Sequence, residues 1–259
     1  MKDADVKFTM VTGRIGRILL SQPAKRNALS AVMWQQLIDC LTGAADTPAL
    51  KVLIITGDGE HFAAGADISE FSTLYATPES SKEISATIAK AMDAIATFPK
   101  PTIAKIRGAC VGGGCGIALA CDMRFADGTS KFGITPGKLG LVYPFSDIKR
   151  LIQAVGVSYA KDILFSARLV LAEEAKEIGL VNRLADQYEL DQIVRDYALS
   201  IADTSGESVS VTKQMFMAFE AGQRGETKST KDLFHAGFSS DDFQEGYKAF
   251  LEKRKPDFP

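Results

Sequence analysis

Residues Ala109 to Ala126 read ACVGGGCGIALACDMRFA, and this stretch decides the fold. Three consecutive glycines, Gly112 to Gly114, follow a strand-like run and open a short apolar segment that reads as a buried helix. Glycine lets backbone approach a neighbour closely, and the first N–H groups of a helix have no acceptor within it. The run therefore offers donors to something negative, helped by the helix dipole. A nucleotide phosphate is a poor fit. No Lys-Ser/Thr pair follows the glycines at P-loop spacing, and a dinucleotide fingerprint read from Gly114 and Gly116 ends on Leu119. The competing use of the glycines is close packing of helix on strand.

A second stretch repeats the arrangement. In KVLIITGDGEHFAAGAD, residues 51–67, an apolar strand from Val52 to Ile55 breaks into Ala63-Ala64-Gly65-Ala66, with Asp67 or Ser69 as cap of a following turn. Two small-residue loops, each at a strand's end, can each aim one N–H at the same oxygen. That pair is an oxyanion hole, which acts on charge that develops during a reaction.

Working outward, residues 6–21 alternate around Gly13 and Gly16 and predict a hairpin. Ser30 before an apolar-periodic run predicts a helix start, with Pro48 just past its end. A long amphipathic helix runs through SSKEISATIAKAMDAIATFPK and stops before Pro99 and Pro101. TIAKIRGAC reads as one strand leading into the glycines, and MRFAD as the next. Strand, loop, helix, strand thus recurs, which is an α/β pattern of repeated units. After Gly206 only helix-forming, charged sequence follows. The expected organisation is a core over residues 1–200 and a helical region over 201–259.

The 259 residues are 46% hydrophobic and 24% charged, with a net charge of -2. That balance gives no electrostatic reason to expect nucleic acid or an anionic membrane as partner. No run is long enough to span a bilayer and the first residues lack a leader pattern, so the expected location is the cytoplasm. Cys40, Cys110, Cys115 and Cys121 lack C-x-x-C spacing. They read as small buried hydrophobes, with neither disulfide nor zinc expected.

Five stretches, KRNALS, HFAAGADISEF, ACVGGGCGIALACDMRFA, FGITPGKLGL and EGYKAFLEKRKPDF, resemble in order and spacing the motifs of the crotonase superfamily, the enoyl-CoA hydratase/isomerase family. The resemblance covers essentially the whole chain. It implies an α/β spiral of repeated ββα units with a C-terminal helical oligomerisation region, assembled as a homotrimer or dimer of trimers. It also implies an acyl-CoA substrate, with coenzyme A entering as part of that substrate and no permanently bound cofactor. Carried over, the oxyanion donors are the N–H groups of Ala64 and Gly113. Lys25, Arg26 and Ala28 fall at the CoA nucleotide end, and Ala66, Asp67 and Ile68 beside the adenine and pantetheine. Phe250 and Lys253 fall where an adjoining subunit reaches the CoA phosphates.

Hydratases of this family use two glutamates, and the matching positions here are Gly116 and Pro136. Neither residue can transfer a proton, whereas adding water across a double bond needs both a base and an acid. The segment TPGKLGLVYPFSDIKRL resembles the malonyl-type CoA decarboxylases of the superfamily, whose tyrosine at the Tyr143 position contacts the substrate carboxylate. Losing CO₂ makes an enolate without removing a C–H proton, so the oxyanion hole becomes the main device. Alternatives are a hydratase or isomerase using another base, and an acyl-CoA-binding protein without turnover. Among other polar groups, Ser146 or Asp147 reads as a helix cap, Glu70 as a solvent-facing or ion-paired carboxylate, and His61 and His235 as surface residues.

Overall fold

The computed structural model describes residues 4–258. The chain opens with the expected hairpin, β1 (Asp5–Met10) against β2 (Ile15–Ser21), in register from Asp5 opposite Ser21 to Met10 opposite Gly16. The helix α1 (Ala31–Ala45) follows, with the Ser30 hydroxyl accepting the Met33 N–H at 3.3 Å. Its buried side chains, Met33, Trp34, Leu37, Ile38, Leu41 and Ala44, fall on one helical stripe. Next come β3 (Val52–Gly57), the short α2 (Phe71–Leu74) and α3 (Pro78–Ala96). A Thr77–Ser80 capping box and a proline in the first turn start α3.

The run TIAKIRGAC is two strands rather than one. β4 (Thr102–Ile106) and β5 (Ala109–Val111) belong to different sheets, divided at Gly108 with φ +52°. A Cβ at Gly108 would lie 2.3 Å from the Glu60 carbonyl oxygen, so only glycine makes this turn. Apolar content alone cannot reveal the break. After β5 come α4 (Gly113–Ala120), β6 (Met123–Asp127), β7 (Lys131–Gly133) and α5 (Phe145–Ser166), which is interrupted at Gly156. Then follow β8 (Leu169–Leu171), α6 (Ala172–Glu177), β9 (Arg183–Ala185) and α7 (Leu190–Ala202). The chain closes on α8 (Gly206–Glu220), α9 (Lys228–Ala236) and α10 (Asp241–Glu252).

The larger sheet has the order β1-β2-β3-β4-β6-β9, parallel from β2 onward. The smaller has the order β5-β7-β8. Two successive repeats each give one strand to each sheet before the helix: β4, β5, α4 and then β6, β7, α5. Along β3, Leu53 and Ile55 enter a core with α1, α3 and α4, while Val52 and Ile54 face a second core with α7. Burial on both faces explains the unbroken apolar run. α7 straddles the expected border after residue 200 and packs on the large sheet, so the helices standing beyond the sheet begin with α8.

Candidate active site

Parallel strands gather their following loops at one end, and those loops build the site. After β2, Pro23–Lys25 makes a 3₁₀ turn, and Arg26 and Asn27 adopt left-handed backbone with φ 52° and 56°. Asn27 is fully buried, and its side chain acts as a spacer. Its Oδ1 accepts the Gln22 N–H at 2.9 Å, and its Nδ2 donates to the carbonyls of Asp58 and His61 at 2.9 and 2.6 Å. The sequence reading passed over Asn27. The available signal was asparagine's tolerance of left-handed backbone inside KRNALS.

The two small-residue loops are stitched to each other. Ala63 forms a bridge with Cys110: its N–H donates to the Ala109 carbonyl and its carbonyl accepts the Val111 N–H, both at 3.0 Å. His61, expected at the surface, is half-buried instead, and its Nδ1 accepts the Ala109 N–H at 3.2 Å. His235 is exposed on α9.

Ala64, expected as the first donor, has no free N–H. Its N–H donates to the Arg26 carbonyl at 3.0 Å and is committed to holding the loop. Two residues on, Ala66 bridges Leu29 in parallel, with Leu29 N–H to the Gly65 carbonyl at 2.7 Å and Asp67 N–H to the Leu29 carbonyl at 2.9 Å. In that pattern the N–H of the central residue points away from the bridge. The Ala66 N–H has no acceptor among the described residues, and neither has that of Gly113, the first residue of α4. Between them lies Gly65, at φ +92°, where a Cβ would lie 2.9 Å from the Gly113 nitrogen. Trp34 packs beneath, with its ring 3.2 Å from a Cβ placed at Gly113.

Beyond these amides, the space opposite Gly116 is occupied by two side chains. A Cβ at Gly116 would meet the Met92 methyl at 2.8 Å and the Tyr143 hydroxyl at 3.2 Å. Tyr143 is 8% exposed, and its hydroxyl has no hydrogen-bond partner among the described residues. Burial pushes that phenol well above the usual tyrosine range, with Cys115 and Asp147 adding to the effect and Arg150 opposing it. A neutral, buried and unsatisfied hydroxyl is a donor available to an acceptor. Pro136 begins a 3₁₀ turn over Pro136–Leu139.

The other carboxylates have structural partners. Glu70 accepts the Ala31 N–H at 2.8 Å at the start of α1. Asp147 does not cap α5, whose cap position is Pro144. It pairs with Arg150 at 2.7 Å instead, because the first turn buries it beside that guanidinium. All four cysteines are unpaired. Burial raises the Cys110 thiol well above its usual range and pushes Cys121 up to about 12, so neither offers a thiolate at neutral pH.

At the far end of the loops, Lys25 donates to Asp67 at 2.6 Å and to the Ser69 hydroxyl at 2.8 Å, while Asp67 accepts the Ser69 N–H as the expected cap. Ala28 is buried, and Arg26 and Ile68 are exposed. Burial works against the Asp67 carboxylate, but Lys25 and Ser69 outweigh it and hold the group below the usual range. The stability this gives is present above the ordinary carboxylate range and is lost as pH falls through the lowered midpoint. Lys25→Met removes the counter-charge, so acid unfolding, followed by fluorescence of the single tryptophan, begins at higher pH than in the unaltered protein. An unchanged onset refutes the assignment.

Phe250 and Lys253 are not brought to this end of their own chain. α10 packs on α8, and Ser205 donates to Asp242 at 2.6 Å. The tail places Asp257 3.8 Å from Arg14, which precedes β2 and so marks the opposite edge of the sheet.

The enoyl-CoA hydratase/isomerase family model matches residues 11–259. The chain belongs to that family. It is 35% identical to the crotonyl-CoA hydratase of Syntrophomonas wolfei over 249 residues, covering 95% of this chain and 94% of that one. An enoyl-CoA hydratase/isomerase family protein from Hyphomonas neptunium is 45% identical, with a TM-score of 0.95 over 98% of this chain and 97% of that one. An enoyl-CoA hydratase/carnithine racemase from Magnetospirillum magneticum is 32% identical, with a TM-score of 0.94 over 100% and 96%. The α/β crotonase fold with its C-terminal helices is therefore that of the family. Among the described residues no helix is long and apolar enough to cross a membrane, and no cluster of three metal-ligating side chains occurs.

Proposed function

We propose that this protein is an acyl-CoA lyase that removes CO₂ from a malonyl-type thioester, methylmalonyl-CoA being the type substrate. The observation that carries the reading is the buried, partnerless Tyr143 hydroxyl lying 3.2 Å from the Cβ position of Gly116, where a hydratase would place a glutamate. Coenzyme A arrives as part of the substrate, its nucleotide end near Lys25 and Arg26. Phe250 and Lys253 of a neighbouring copy reach the CoA phosphates in a trimer or a dimer of trimers.

The thioester oxygen accepts the N–H groups of Ala66 and Gly113. Tyr143 donates to the substrate carboxylate and fixes its plane, while Met92 and the surrounding apolar wall keep water away. The C–C bond to the carboxylate then breaks and its electron pair flows into the thioester as an enolate. CO₂ leaves, and the enolate oxygen, now negative, is stabilised by two donors that were already in place. A proton from solvent finally reaches the α-carbon. No step requires a general base, which suits glycine at 116 and proline at 136.

Incubation with methylmalonyl-CoA, malonyl-CoA, crotonyl-CoA and a 3-enoyl-CoA, with products followed by mass, tests the reading. Decarboxylation of the first two is expected. Rapid hydration of crotonyl-CoA without any decarboxylation overturns it, and tight acyl-CoA binding without product across the panel favours a protein that only binds. Tyr143→Phe is expected to lower kcat/KM for decarboxylation roughly 10–100-fold, because the carboxylate loses the contact that binds it and fixes its plane. Unchanged turnover removes Tyr143 from the mechanism.

A further inference from the structure

Gly113, whose N–H serves as an oxyanion donor in the reaction proposed above, and Gly116 both lie on α4. Residues three apart on a helix share a face and are separated by about 4.5 Å along its axis. An acyl chain that runs along this face from a thioester carbonyl held at Gly113 brings its second or third carbon level with Gly116. α4 packs against both α3 and α5, and the Met92 side chain of α3 meets Gly116 end-on. From a Cβ at Gly116 the Met92 methyl would lie 2.8 Å away and the sulfur 3.5 Å, with the Tyr143 hydroxyl, from the segment leading into α5, at 3.2 Å. Met92 is 2% exposed, and both side chains belong to the main core. A carboxylate arriving here finds a donor in Tyr143. A further methylene finds the place that Met92 already fills.

We propose that Met92 is a specificity-determining residue that stops the acyl chain at its third carbon, so that the site takes short thioesters of the malonyl type and refuses longer straight chains. The inference rests on Gly113 as the oxyanion donor and on no part of the decarboxylation step. Methionine is flexible, but a buried one swings aside only into a core that is already packed. Each added methylene must therefore displace a packed side chain instead of entering free space. Packing of α3 on α4 for stability alone would produce the same contact with no bearing on the ligand.

Saturated straight-chain acyl-CoA thioesters supply the test, because they bind without reacting. A methylene that enters apolar protein space tightens binding about fourfold. Kd is measured by calorimetry for acetyl-, propionyl-, butyryl-, hexanoyl- and octanoyl-CoA. In the unaltered protein the affinity is expected to stop improving after propionyl-CoA. Met92→Ala removes about three methylenes' worth of side chain, so hexanoyl-CoA is expected to bind it roughly 50-fold more tightly than propionyl-CoA. If the alanine variant fails to fold, Met92→Val takes its place, with butyryl-CoA the chain that gains. Steady tightening with chain length in the unaltered protein overturns the proposal, and so does a shortened variant in which length still has no effect. Length selection that Met92→Ala relieves, in a protein that decarboxylates nothing, sinks the lyase reading and leaves the role of Met92 standing. Decarboxylation of methylmalonyl-CoA by a protein whose affinity climbs steadily to octanoyl-CoA does the reverse.

Discussion

Gly113→Pro lowers turnover on the best substrate by about 10²–10³, the usual cost of removing one oxyanion donor. Side-chain substitution cannot delete a backbone N–H, but proline can. The position suits the experiment because Gly113 is the first residue of α4, where proline is tolerated and the N–H has no partner within the helix. The preceding residue is Gly112, at φ +55°, which carries no side chain to clash with the proline ring. Gly113→Ala is the matched control. It keeps the N–H and asks the Trp34 ring, 3.2 Å from the new Cβ, to yield by a few tenths of an ångström. A large loss in the proline variant with a small one in the alanine variant assigns the effect to the donor. Equal losses would assign it to the crowding of Trp34, and the oxyanion role of Gly113 would fall.

Gly114→Ala is expected to damage the fold more than any other change in this segment. Its Cβ would lie 2.1 Å from the Ala63 carbonyl oxygen and 2.8 Å from the Ala63 carbonyl carbon, and these atoms belong to backbone that is itself bridged to Cys110. Nothing there can rotate out of the way, so the two loops must part. Forced overpacking of this kind costs about 3 kcal/mol or more. For a chain of this size that is roughly a 6–12 °C fall in Tm, measurable by calorimetry or circular dichroism. A variant that melts with the unaltered protein would mean that the loops are not held as described.

Local chemistry made much of this legible from sequence. The hairpin, the Ser30 cap, the stop before Pro99 and the Asp67 cap each depend on a few neighbouring residues, and each appears in the structure where the residues put it. What escaped reading depends on distant partners. The division at Gly108 is enforced by the carbonyl of Glu60, and the Ala64 N–H is occupied by the carbonyl of Arg26. The half-burial of His61 is a matter of its contact with Ala109. Asp147 looks like a helix cap in any local window, because Arg150 and Asp93 declare its partnership only once α3 and α5 meet. Along one chain, FAAGAD offers four small residues as donors. The carbonyls of Ala109 and Arg26 occupy the first two amides, and the parallel bridge to Leu29 turns that of Ala66 outward.

The bridge between Ala63 and Cys110 carries a consequence for how such a protein can change. The amides of Ala66 and Gly113, the donors of the proposed reaction, are main-chain groups in loops held by a sheet contact that involves no reactive side chain. The machinery for bearing an enolate's charge is thus inherited with the fold, whatever residues surround it. On the proposed reaction, the positions that decide what the enolate becomes, 116, 136 and 143, are ones where single substitutions can add, remove or exchange a side chain. Divergence of reaction in this scaffold can therefore proceed one residue at a time without passing through a form that has lost its grip on the common intermediate.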